Sequence, residues 1–179
     1  MLRYVKMLKE ALKEIEQREG ISEYRARVMV AGSIGDRSDL IEIIEDLGRV
    51  VVTDALCTGT RWFMNKVKEN GDPFENIARR YYQHNPYPRM IGEYERKRKM
   101  ILELAKKYDV DGVIFQRIAF CDYHAVDSVL LAKELEDEGI PAIVLERVFA
   151  DRCREVQNES SGVPGNDRKV GAFFMCASR

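Results

Sequence analysis

The sequence lacks the features that would place it in several specialised classes of protein. It has only four cysteines in 179 residues, and no two of them form a CxxC pair. That scarcity argues against a disulfide framework and against a structural zinc site, whose ligands come in closely spaced pairs. No apolar run is long enough to cross a bilayer, and the charged N-terminus has no signal-peptide core. We therefore expect a cytoplasmic protein without a membrane partner.

The sequence also lacks an excess of positive or negative charge. Lysine and arginine number 29 against 30 aspartates and glutamates, so the formal net charge is −1. The basic clusters at residues 79–80 and 96–99 lie in helical patterns beside acidic residues, as solvated helix faces do. A nucleic-acid partner is not expected, because binding to a phosphate backbone needs an excess of positive charge.

The chain does have a regular alternation of strand and helix patterns. Short runs rich in valine and isoleucine are separated by longer amphipathic segments. The expected strands are residues 27–32, 49–54, 112–118 and 140–146. Strands that alternate with helices predict an open parallel sheet of about four strands with helices on both faces.

The last helix of this alternation is expected over residues 125–139, with Gly139 at its end. Its inward-facing residues are expected to be Val126, Val129, Leu130, Ala132 and Leu135.

Two cysteines follow strands of the predicted sheet. Cys121 comes directly after residues 112–118, and Cys57 lies in the loop after residues 49–54. The carboxyl ends of parallel strands share one edge, and ligands of open α/β sheets bind there. Each cysteine taken alone is most often a small buried hydrophobe. Two cysteines at the same edge of the sheet point to a shared site.

The turn after the first strand is a weaker candidate. Residues 32–36 read GSIGD and lead into a helix that Ser38 is placed to cap. Such a turn can hold an anion, but it lacks both the dinucleotide spacing and the P-loop lysine. A tight strand-to-helix turn is the alternative interpretation.

Both ends of the chain differ from its centre. Residues 1–24 contain a charged helix pattern that resembles a connector, and residues 151–179 lose all periodicity. This tail predicts either disorder or a frameshift near Asp151. With permitted codons for residues 151–168, reading one nucleotide later gives TGAGKYKTRVQAFLEMI, whose second half has a helical pattern. Sequencing the gene tests the frameshift, because codons that do not give this peptide exclude it.

The segments that contain the two cysteines resemble a known family. Residues 110–124 read VDGVIFQRIAFCDYH and are followed by a helix and GIPAIVLE. These segments, together with RVMVAGS and VVVTDALCTGTRWF, are similar to the C-terminal domain of 2-hydroxyacyl-CoA dehydratase and benzoyl-CoA reductase subunits. The resemblance implies a flavodoxin-like α/β domain over residues 25–150. It also implies a further N-terminal domain, for which this sequence has no counterpart, so the chain resembles a fragment or the second half of a split subunit.

The resemblance implies a cofactor and several partners. The cofactor is a [4Fe–4S] cluster held between the two domains by cysteines from both, which agrees with the preference of such clusters for thiolates. The partners are the missing N-terminal domain or an upstream half-subunit, a paralogous second subunit in a heterodimer, and an ATP-dependent activator protein that delivers single electrons. The substrate is an acyl-CoA thioester, which is reduced to a ketyl radical. The dehydratases then expel a 2-hydroxyl group, whereas the benzoyl-CoA enzymes reduce the ring.

Carried over to this sequence, the family pattern assigns Cys121 as a cluster ligand. Cys57 matches a family motif near the site, and its role is either that of a direct cluster ligand or that of a residue that lines the pocket. The other two cysteines, Cys153 and Cys176, lie in the tail and receive no role.

Four polar residues near these cysteines have open roles. Asp122 and His124 flank the candidate ligand, where either could tune the cluster, although Asp122 also suits a helix N-cap. Arg61 and Arg117 are candidates for contact with CoA phosphates, and solvated side chains are the alternative.

Two other functions remain open at this point. One is a cluster-free α/β binding or regulatory module, and the other is an inactive gene remnant. Under the enzyme interpretation, this chain by itself is expected to be inactive and to bind a cluster poorly, because it does not hold enough cysteines at one site.

Overall fold

The structure of the chain is a computed structural model that describes residues 2–35, 38–83 and 92–147. Two sequence expectations lie outside these ranges: Asp36 of the glycine-rich turn and the tail from residue 151 onward. The described residues contain four strands, five α-helices and one short 3₁₀ turn.

The strands form one parallel sheet in the order β2-β1-β3-β4. Their apolar, mostly β-branched residues suit a sheet that is covered on both faces. A register shift between Val28 and Met29 interrupts the pairing of β1 with β2. The four strands are β1 (Ala26–Gly32), β2 (Arg49–Leu56), β3 (Gly112–Ile118) and β4 (Ala142–Arg147). This sheet confirms the expected fold class.

Three of the five described helices cover the two faces of the sheet, one helix on one face and two on the other. They are α1 (Leu2–Glu16), α2 (Asp39–Asp46), α3 (Pro73–Gln83), α4 (Tyr94–Lys107) and α5 (Asp122–Asp137). Leu40 and Ile44 of α2 pack with Val28 and Val30 on one face of β1. On the other face, α4 and α5 pack against Met29, Phe115 and their neighbours. Two cores on opposite faces confirm that helices cover both sides.

Helix α5 corrects two expectations. It begins at Asp122 rather than at residue 125, and Cys121 is its N-cap residue. Val126, Val129 and Leu130 are exposed, so their predicted inward orientation is wrong. The buried side chains of the helix are His124, Ser128, Leu131, Ala132 and Leu135. Apolar residues occur on both faces of α5, and their spacing alone could not identify the buried one.

Helix α1 presents its apolar residues to solvent within the part of the chain that the structure describes. The exposed side chains are Tyr4, Val5, Met7, Leu8, Leu12 and Ile15. The role of a connector therefore stays a prediction. None of the described helices is long and apolar enough to span a bilayer.

Gly32 joins β1 to the loop that follows, and its substitution is a test of the fold. Its φ is +111°, and a Cβ there would collide with the backbone carbonyl of Gln116 on β3. We expect Gly32→Ala to lower the free energy of unfolding by about 2 kcal/mol or more. Gly20→Ala is the matched control, because a Cβ at Gly20 meets nothing within 4 Å. Urea unfolding curves that coincide for the two variants would contradict this prediction.

Candidate functional site

The two cysteines lie at the carboxyl edge of the sheet, on either side of β1. Cys57 follows β2 and Cys121 follows β3, and both are half-buried free thiols. The chain leaves β1 toward β2 and then crosses to β3 on the other side, so this edge contains the topological switch point. The parallel sheet therefore places both thiols where α/β folds bind their ligands.

The loop that holds Cys57 is fixed by Asp54. Its carboxylate accepts hydrogen bonds from the backbone N–H of Leu56 at 3.1 Å and of Thr60 at 2.9 Å, and from the Thr60 hydroxyl at 2.7 Å. Gly59 makes this turn possible, because a Cβ there would overlap the Asp54 carboxylate. Neither Asp54 nor Gly59 was expected to act here, because Asp54 and Thr60 are separated by five residues and the brace depends on how the loop folds.

Cys57 contacts His124 of α5. Its Sγ lies 3.2 Å from Nε2 of the imidazole, and His124 is only 2% exposed. Burial raises the pKa of the Cys57 thiol, although Arg61 and Lys97 act in the opposite direction. Burial, with help from Lys97 and Arg61, lowers the pKa of His124 to about 3. Both shifts favour a neutral thiol beside a neutral imidazole over the thiolate–imidazolium couple of a cysteine hydrolase.

Two buried cations lie near this pair. Lys97 of α4 is 3% exposed, and its Nζ lies 3.1 Å from the Asp127 carboxylate of α5. Arg61 sits in the 3₁₀ turn Thr60–Trp62 and is 1% exposed, so the interpretation of a solvated Arg61 is wrong. The expectation that residues 96–99 form a solvated helix face is wrong for Lys97, because α4 buries it against α5.

Arg117 differs from Arg61 in its surroundings. Its guanidinium pairs with Glu146 of β4 at 2.6 Å and also donates to the carbonyl of Ala125. This ion pair links the ends of β3 and β4. It is a sufficient structural role for Arg117, whose contact with a CoA phosphate stays a prediction.

Cys121 is held by backbone hydrogen bonds at the start of α5. Its N–H donates to the carbonyl of Ile118 at 3.0 Å, and its own carbonyl accepts from the N–H groups of His124 and Ala125. The preceding residue, Phe120, has a φ of +64° and is 98% exposed. A left-handed backbone is unfavourable for an aromatic residue and occurs where surrounding structure enforces it. The strained turn thus fixes Cys121 at the edge.

The contacts of the turn after β1 do not suit an anion. The carbonyls of Ser33 and Ile34 accept hydrogen bonds from the Gln116 side chain at 3.1 and 3.0 Å. The first turn of α2 contains Asp39 and Glu42, which repel an anion, and the Ser38 hydroxyl donates to Glu42 rather than capping the helix. These contacts favour the alternative of a tight turn.

The donors at this edge fit part of an iron–sulfur site. Thiolates are the ligands that such clusters prefer, and two thiols are present here. Across the described residues, however, no group of three or more histidines, cysteines, aspartates and glutamates is arranged to hold a metal. A cluster at this edge would need further ligands from outside those residues.

Comparison with known proteins agrees with the resemblance of the cysteine segments. Residues 1–160 match the family model for the 2-hydroxyglutaryl-CoA dehydratase D-component. The chain is 30% identical to the (R)-phenyllactyl-CoA dehydratase beta subunit of Clostridium sporogenes over 79% of its own length and 37% of that protein. It is 28% identical to a benzoyl-CoA reductase subunit of Thauera aromatica over 84% of its own length and 40% of that protein. It thus spans about two fifths of the length of these relatives. The chain belongs to the 2-hydroxyglutaryl-CoA dehydratase D-component family.

Proposed function

We propose that this chain forms the cluster-proximal C-terminal part of an iron–sulfur subunit of the 2-hydroxyacyl-CoA dehydratase or benzoyl-CoA reductase type. The observation that carries the proposal is the placement of Cys57 and Cys121 at one edge of the sheet, on either side of β1. Family membership and the names of the relatives support the same function.

In this proposal, each residue at the edge has a distinct task. Cys121 supplies a thiolate from the rigid start of α5, where the backbone hydrogen bonds fix its position. Cys57 either supplies a second thiolate or lines the pocket with His124 behind it. Asp54 holds the Cys57 loop in place. When bound, a [4Fe–4S] cluster supplies single-electron transfer to an acyl-CoA thioester, and the protein provides its position and electrostatic environment.

The proposal includes partners. The absence of a three-donor group in the described residues supports a cluster shared with an N-terminal domain or an upstream half-subunit. A paralogous second subunit and an ATP-dependent activator protein complete the proposed complex, and relatives of this chain are themselves named as subunits.

The test is anaerobic iron–sulfur reconstitution of the full chain, alone and co-expressed with the N-terminal part of a homologous subunit. We expect far less than one cluster per chain for the chain alone and a stoichiometric [4Fe–4S] absorption and EPR signal for the pair. A stoichiometric cluster on the chain alone would refute the shared site. The absence of a cluster from a stable pair would refute the iron–sulfur function.

A second candidate function is a cluster-free α/β binding or regulatory module. The hydrogen bond between Cys57 and His124 favours it, because it engages one of the two thiols. In this case Cys121→Ser leaves every property of a reconstituted complex unchanged.

A further inference from the structure

Helix α1 has an apolar face that no described part of the chain covers. We define the α1 apolar face by the residues that share one side of the helix: Tyr4, Val5, Leu8, Ala11, Leu12 and Ile15. We propose that this face is the docking surface for the N-terminal part of the subunit, and that the two parts associate through it without a cluster. The inference rests on the proposed function, which supplies the partner, and adds the surface that binds it.

The whole segment that contains α1 lies at the surface. Every side chain from Arg3 to Arg25 is exposed, and Leu8 is 65% exposed. Helix α1 contributes no side chain to either core of the described sheet. It has 15 residues, and an isolated helix of that length is marginal in water, because most helices are stabilised by the packing of an amphipathic face. The α1 apolar face therefore requires a partner.

The width of the face favours a folded domain over a second copy of α1. Four of its six residues have the spacing of a coiled-coil seam, and Tyr4 and Ala11 add a third row beside that seam. An apolar face of about 100° or more is typical of a helix that packs on a globular core, whereas a two-stranded coiled coil uses the narrow seam. The opposite side of α1 is charged, with Lys6 and Glu10 paired at 3.9 Å. One apolar side implies one partner.

The length of the relatives indicates which partner that is. The family model matches residues 1–160 and so includes α1, which makes the helix part of the family's domain. The chain spans only 37% and 40% of the length of two relatives, so more than half of a subunit of that size lies outside it. The N-terminal part of such a subunit is large enough to present an apolar groove to α1.

The first experiment measures docking in the absence of metal. The full chain and the N-terminal part of a homologous subunit are mixed anaerobically with a chelator, and their affinity is determined by isothermal titration calorimetry. We expect Leu8→Gln and Leu12→Gln each to weaken the binding about tenfold, because each removes a leucine side chain from the buried face. Glutamine has nearly the helix propensity of leucine, so the helix itself is preserved.

Met7→Gln is the matched control. Met7 is an apolar residue of α1 and is 54% exposed, but it lies outside the α1 apolar face. This variant should leave the affinity unchanged, and an equal loss in Met7→Gln and Leu8→Gln would overturn the inference. Urea unfolding curves of the free variants should coincide with that of the original chain. Destabilised Leu8→Gln would also overturn the inference, because the chain would then bury the face itself.

The second experiment locates the contact by amide hydrogen exchange. In the pair, the amides of α1 should exchange at least about tenfold more slowly than in the free chain. Slow exchange in the free monomer would overturn the inference. A homodimer of the free chain that is seen by sedimentation velocity and lost in Leu8→Gln would do the same, since a second copy would then be the occupant.

The docking surface and the proposed function fail in different ways. A pair that docks through α1 but takes up no cluster refutes the iron–sulfur function and leaves the docking surface in place. A pair that takes up a cluster, with an affinity that Leu8→Gln and Leu12→Gln do not change, refutes the docking surface and leaves the proposed function in place.

Discussion

Cys121→Ser is expected to reduce cluster binding in the reconstituted pair at least tenfold. A serine hydroxyl is a hard, weakly acidic ligand that replaces a thiolate poorly on iron. The fold should survive, because Cys121 is the N-cap residue of α5 and serine is a favoured N-cap. Iron content and EPR signal per pair give the measurement, and circular dichroism melting of the variant checks its fold.

Cys57→Ser is the matched substitution at the same edge. The Cys57 thiol is hydrogen-bonded to His124, and burial raises its pKa, which disfavours the thiolate that a metal needs. We therefore expect a smaller loss of cluster than for Cys121→Ser. An equal loss in both variants would identify Cys57 as a direct ligand. Full retention of the cluster in Cys121→Ser would contradict the role proposed for that residue.

The stability of the cluster-free chain is expected to fall in acid because of His124. Its pKa drops from the ordinary 6.5 to about 3 in the folded chain, since burial and two nearby cations disfavour the imidazolium. The unfolded chain thus binds a proton between these values that the folded chain does not, so stability rises with pH across this window. The contribution of His124 to the free energy of unfolding is complete above pH 6.5 and is lost as the pH falls toward 3. This drop in the pKa corresponds to about 4 to 5 kcal/mol of the free energy of unfolding, of which about 2 kcal/mol is lost by pH 5.

The measurement is urea unfolding of the chain and of His124→Gln at pH 7.5 and pH 5. Carboxylates also titrate in acid, and the difference between the two proteins removes their contribution. We expect the original chain to lose about 2 kcal/mol more than the variant between these pH values. Parallel losses would show that His124 does not have its low pKa in the folded chain.

The periodic parts of the chain could be predicted from the sequence, because local patterns carry the information. The four strands lie within one or two residues of their expected bounds, since runs such as residues 27–32 and 112–118 combine β-branched residues with turn signals. The orientation of α5 could not be predicted in the same way. Its exposed Val126 and Val129 are as apolar as its buried Leu131.

The candidate site was predictable only in outline. The position of Cys57 and Cys121 at one edge follows from topology alone, because parallel strands align their carboxyl ends. The brace formed by Asp54 and Gly59 depends on how the loop folds back on itself, and it emerged only from the atomic contacts.

The sequence by itself determined the parallel sheet, the two cysteines that follow its strands, and the resemblance that led to the family. Only the tertiary structure decided what surrounds those cysteines. His124 is 67 positions from Cys57 along the chain, yet it lies 3.2 Å from its thiol. Lys97 looks like any other charge on a solvated helix until α4 packs against α5 and buries it beside Asp127. Burial and long-range contact set the charge states of this site, and both arise from packing that no local pattern encodes.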